Sequence, residues 1–184
     1  IDSRQVEKML LAHSSGLRLL TSPPAGSKWT ELPAAHAAAI VRGAKPLADA
    51  IVLDLPHMMS PALKEVLSLS DIVLLVLGPE PMDISCAEQT LPLLDEVGVN
   101  SDVVGLVVVK HAQSSVSLSL TDIEHTLKKR ALGVIPPAAE ELTFSYRQGV
   151  PLVLSGSASV AAIAFQELAE RVQARIAGRA IAPR

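Results

Sequence analysis

Hydrophobic positions along this chain follow two rhythms. Short unbroken apolar runs occur at 50–55, 71–77, 103–109 and 132–135, and Pro, Gly or a charged residue cuts off each one. Runs of this length, rich in Val, Leu and Ile, predict strands buried on both faces of a sheet. Between the runs, apolar residues recur every three or four positions, the period of a helix with one buried face. That period predicts helices over 2–13, 33–42, 62–69, 83–97, 120–129, 140–147 and 158–176. In the first, Val6, Met9 and Leu10 share a face; in the fourth, Ile84, Ala87, Leu91 and Leu94 point inward. Asp2, Ser60 and Thr121 read as N-terminal caps, Pro33 as a helix opener and Gly149 as a helix terminator. Two weaker runs, 17–21 ended by Ser22-Pro23-Pro24 and 152–154, read as short strands. Strands alternating with helices predict an α/β fold, a mostly parallel sheet with helices on both faces. No repeat, low-complexity tract or linker divides the chain, so a single domain over 1–184 is expected.

The run at 50–55 ends in a charge. Ala50-Ile51-Val52-Leu53-Asp54-Leu55-Pro56 places Asp54 at the carboxyl end of its strand, where open α/β sheets bind ligands. A carboxylate there can orient a hydrated magnesium ion beside a phosphate. Pro56 stops the strand and stiffens the loop that follows. A solvated acid at a plain strand end fits the same residues. Leu53 and Leu75 are expected in the core, and Asp54 at its wet edge.

Composition narrows the classes. Hydrophobic residues make up 49% of 184, yet only two Phe, one Tyr and one Trp occur, so the core must be aliphatic. Mean hydropathy is high at +0.37, but no apolar run reaches the ~18 residues a membrane span needs, and no signal peptide is visible. One cysteine, Cys86, excludes an internal disulfide and fits a reducing compartment. A net charge of -3 and a pI near 5.9 give no basic surface for nucleic acid. The chain begins at Ile1 without Met, so it is expected to be a piece of a longer protein. The histidines His13, His36, His57, His111 and His125 lack metal-binding spacing; only His57 flanks a candidate site. Ser114, Ser115, Ser117 and Ser119 form a polar loop with no nucleophile elbow, and Cys86 reads as a small core residue. No catalytic residue is assigned.

In order and spacing, "AIVLDLP", "SDIVLLVLGPEPMDISCAEQTLPLLDEVG", "VVGLVVVK", "SLTDIEHTL" and "GVIPPAAEELTFSYRQGVPLVLSGSASVAAIAFQELAERV" resemble the MinD/ParA-type ATPases. These are P-loop NTPases with a deviant Walker A loop. Within them the resemblance is closest to the CpaE/TadZ-like branch of pilus assembly and localisation. It covers nearly the whole chain, and its most specific part is Ile135-Pro136 followed by Gln148-Gly149-Val150-Pro151-Leu152. The resemblance implies a P-loop NTPase-like, Rossmann-like three-layer fold, with Asp54 as the Walker B residue holding a metal through water. It also implies nucleotide contacts from Asp54, Pro56, Lys110 and Pro136, and ATP with magnesium in an intact family member. The implied setting is the bacterial cytoplasm, at a pole or membrane, with protein partners of a pilus or localisation system.

The departures from the family bear on activity. No G-x-x-x-x-G-K-[ST] loop or near variant occurs, so the chain matches the part C-terminal to that loop and no cofactor is expected for it alone. Lys110 stands where the family often has Asn, and Ala138 where it has Asp. Two further readings stay open: a non-enzymatic ATPase-like interaction module, and a response-regulator receiver built on the Asp54/Lys110 pair. Arg171, Arg175 and Arg179 line one side of the last helix, a pattern that some relatives use at membranes. Here Ile163, Leu168, Val172 and Ile176 are expected to pack that helix on the sheet instead. In the resembled fold a strand lies between 50–55 and 71–77. Without it both inner edges stay unpaired, so self-association, as a homodimer or by strand exchange, is expected.

Overall fold

The computed structural model describes residues 1–21, 31–111, 116–155 and 159–181, and the chain divides into two units, Ile1–Ser70 and Asp71–Arg184. Ser22-Pro23-Pro24, Ser114, Ser115 and the first residue of the expected last helix, Ala158, lie outside the described residues.

The first unit is helical with a small hairpin. Asp2 caps α1 (Ser3–Met9) in a capping box with Gln5. The helix ends at Met9, not near 13, because Leu11–Ala12 (β1) pairs antiparallel with Arg18–Leu19 (β2). The turn between them closes on His13 N–H to Leu17 O at 2.8 Å, with Gly16 at φ 88°. The expected strand at 17–21 is thus a two-residue hairpin arm. Ala34–Ala44 forms α2, with Pro33 at its N-cap. Pro61–Ser68 forms α3, capped by Ser60 Oγ accepting from Leu63 N–H at 3.1 Å. Ala37 and Val41 of α2 pack against Val66 of α3. Val6 of α1 is fully buried, and Gly43 is small enough for α1 to approach α2 there.

The expected strand at 50–55 is absent. Residues 50–56 enter no sheet among the described residues. A strand exists only through its ladder partners, and this run has none; Val52 is 93% exposed. Leu53, expected in the core, is 36% exposed.

The second unit holds the parallel sheet, in the order β3-β4-β5. Its strands are Val73–Leu77 (β3), Val104–Val109 (β4) and Ala131–Ile135 (β5), all parallel. The helices between them are α4 (Pro81–Glu96) and α5 (Leu120–Leu127). Leu77, Leu106 and Val108 meet Ile84 and Ala87 of α4 and Ile123 and Leu127 of α5 in one aliphatic cluster. On the opposite face α7 (Val160–Ile181) packs on β5. There a side chain on Gly133 would strike Leu168 Cδ1 at 2.9 Å, so glycine lets the helix come close. Leu168 and Val172 are half-buried, whereas Ile163 and Ile176 stay exposed. Helices therefore pack on both faces of the sheet, α4 and α5 on one and α7 against β5 on the other. β4 is central and buried; β3 is an edge strand, and its Leu74 and Val76 lie exposed.

Smaller expectations also shift. Ser119, not Thr121, caps α5, accepting from Asp122 N–H at 3.2 Å. Cys86 is exposed on α4 rather than in the core. Residues 152–154 form a 3-10 turn, not a strand. Pro151 enters it with its φ fixed, and Leu154 N–H closes back on Pro151 O at 2.8 Å, so the backbone needs no sheet neighbour. Ala139–Gln148 forms α6, terminated by Gly149 at φ 63°.

Candidate functional site

Parallel strands deliver their carboxyl ends to one edge. Leu77 pairs with Val108, and Val109 with Ile135. Gly78, Lys110 and Pro136 therefore follow one another along the same rim. Lys110 N–H donates to Ile135 O at 2.9 Å, which fixes Lys110 beside Pro136. Of the four expected nucleotide residues, the fold brings these two together. Lys110 is exposed and Pro136 half-buried. Asp54 and Pro56 belong to the first unit, in the segment without a ladder, and both are exposed. Asp54 does not end a buried strand, contrary to the expectation above. His57 is exposed as well.

The rim also carries two acids, Glu80 and Asp83, just past the Gly78 that ends the run at 71–77, and the sequence pattern gave them no role. Pro79 is fully buried, and its carbonyl accepts from Leu118 N–H at 2.8 Å, tying the 116–119 loop to the strand end. Ser117 Oγ donates to Glu80 Oε1 at 3.5 Å. A side chain on Gly78 would meet the carboxylates of both Asp83 and Glu80, so the two acids lean over that glycine. Asp83 lies in the first turn of α4 and Glu80 at its N-cap. An acid there favours the positive end of the helix dipole. The same acids oppose a phosphate at that terminus, because its positive end already faces carboxylates. The available signal was the stretch Glu80-Pro81-Met82-Asp83, two acids bracketing a proline that opens a helix.

A magnesium–nucleotide needs a carboxylate or hydroxyl on the metal and a cradle of amides on the phosphates. Among the described residues no three His, Cys, Asp or Glu side chains cluster to hold a metal. Asp54 is a single exposed carboxylate.

No protein-family model matches the chain. Its sequence is similar to the septum site-determining protein MinD of Thermotoga maritima, 27% identical over 139 residues, covering 73% of this chain and 51% of that one. Its fold is similar to MinD in the MinC:MinD cell division complex of Aquifex aeolicus, with a TM-score of 0.75, 25% identity, and 92% and 68% of the two chains covered. It is also similar to a ParA family ATPase from Chlorobium tepidum, with a TM-score of 0.77, 17% identity, and 94% and 69% covered. The chain spans about half the length of the curated relatives first matched. The likeness to MinD runs through sequence and fold, and the likeness to the ParA family ATPase through the fold. The chain's α/β fold, with a three-stranded parallel sheet between helices, matches theirs. Among the described residues, no helix is long and apolar enough to cross a membrane.

Proposed function

We propose that this chain is the part of a MinD/ParA-type regulator that lies C-terminal to the phosphate-binding loop. We place it in the CpaE/TadZ-like branch, serving pilus assembly or polar localisation through protein partners in the bacterial cytoplasm. The observation that carries the reading is a likeness to MinD that runs through most of the chain in both sequence and fold. The Aquifex neighbour's complex with MinC supports a role exercised through a bound protein. In this reading 1–184 is one ATPase-like domain, incompetent for nucleotide as it stands. Asp54 would reach a metal only through water, without the amide cradle that supplies most phosphate affinity. A membrane surface is the less favoured docking place, since α7 spends its apolar side partly on β5.

The second reading, a non-enzymatic interaction module, draws on the acids at the start of α4 and on Lys110 and Ala138, which stand where the resembled family often has Asn and has Asp. Isothermal titration with Mg-ATP tests the nucleotide claim. No binding heat is expected in the micromolar range. A micromolar constant, about -8 kcal/mol, would overturn it and mean that another loop replaces the missing one.

A further inference from the structure

The chain has four aromatic residues, and two of them, Phe144 and Tyr146, sit on the ten-residue helix α6. They are 63% and 87% exposed. Aromatic rings are costly to leave in water and are the commonest anchors of protein interfaces. Phe144 lies with Ala139, Glu140, Thr143 and Arg147 on one open face of α6. Positions 140, 144 and 147 follow the i, i+4, i+7 spacing of one helix face. The ring is therefore flanked by an acid one turn before it and a base one turn after. Among the described residues neither Glu140 nor Arg147 has an ion-pair partner.

We propose that α6 is a self-association surface, on which a second copy of this chain docks its own α6 antiparallel across a two-fold axis. The charge order selects that occupant. An axis midway between positions 143 and 144 sets Glu140 of each copy opposite Arg147 of the other, and each Phe144 over the partner's Thr143. Such a patch is complementary to itself, so the contact closes at two copies. The antiparallel arrangement also opposes the two helix dipoles favourably. A helix this short, about 15 Å long, cannot by itself supply the ~1,200 Å² of a stable interface. The dimer is therefore weak. This contact is independent of nucleotide and does not rest on the functional reading above.

Sedimentation equilibrium of the 184-residue chain, without nucleotide and with a thiol reductant to silence Cys86, tests the proposal. The wild type is expected to dimerise with a constant of roughly 10–100 μM, about 6 kcal/mol. Phe144→Asp should weaken the dimer at least about tenfold, and Glu140→Arg and Arg147→Glu should each weaken it similarly. Mixing the two charge variants should restore association as a heterodimer, because each then meets its opposite. All three positions are exposed, so circular dichroism should show an unchanged fold. A chain that stays monomeric throughout overturns the proposal, including one that is monomeric yet binds some other protein at α6. So does a dimer unmoved by Phe144→Asp, or charge variants that do not recover on mixing. Mg-ATP titration of the same sample reports separately on the functional reading.

Discussion

Lys129 illustrates how single groups are held in this sheet. Its ammonium donates to both the carbonyl and the hydroxyl of Ser101 at 2.7 Å. Burial, together with the neighbouring Arg175 guanidinium, lowers its pKa from the ordinary lysine value of 10.5, and Asp102 opposes the shift. Arg175 meanwhile donates to the carbonyls of Asp102 at 2.8 Å and Val104 at 3.3 Å. Two cations thus satisfy the backbone at the entry to β4, and their mutual repulsion is the consequence. Because the folded chain releases the Lys129 proton first, the unfolded chain binds more protons between the lowered pKa and 10.5. Stability from this residue therefore rises with pH in that window and is flat below it. In urea melts the wild type should gain on Lys129→Met as pH climbs toward 10.5. A wild type that loses ground to the variant over that range would contradict the cause assigned here.

Among the elements, β4 dominates. Leu106 is fully buried, pairs with Leu75 and Ala131, and joins the cluster under α4 and α5. Leu106→Ala should cost about 2–5 kcal/mol, the range for a leucine cavity that its surroundings cannot fill. Leu53→Ala, in the segment without a ladder, should cost only about 1 kcal/mol. Asp54→Asn should stay within about 0.5 kcal/mol. Denaturant melts of the three variants rank them; a Leu53 effect equal to that of Leu106 would place 50–55 in a packed sheet after all.

Elements were legible wherever local chemistry and pattern agreed. The apolar runs at 71–77, 103–109 and 132–135 became β3, β4 and β5, and Ser60 and Gly149 bound their helices as expected. The misreadings share a cause. An apolar run states that a segment would be buried if it had neighbours, not that the neighbours exist. The run at 50–55 shows this, as does the 152–154 turn, which closes its own hydrogen bonds after Pro151. The rim was half legible. Lys110 and Pro136 follow from strand ends alone, whereas Glu80 and Asp83 become visible only once Gly78 lets them fold over the edge.

At the scale of the whole molecule, the fold is that of MinD and ParA proteins, and the rim of its sheet carries the acids Glu80 and Asp83 as well as Lys110. A fold does not fix a function, and interaction surfaces such as α6 are a place to look for it. β3 sharpens the point. It ends the sheet, and its Val76 is 59% exposed. An uncovered edge of this kind invites a further strand.

The most direct test of the central claim reads the rim itself, residue by residue. Amide hydrogen exchange of the 184-residue chain can be followed with and without Mg-ATP at Gly78, Glu80, Asp83 and Lys110. The account predicts exchange unchanged within about twofold at all four, because nothing there holds the phosphates. Protection rising roughly tenfold or more at these amides when Mg-ATP is present would contradict it, and would show that this edge of the sheet binds nucleotide despite its acids.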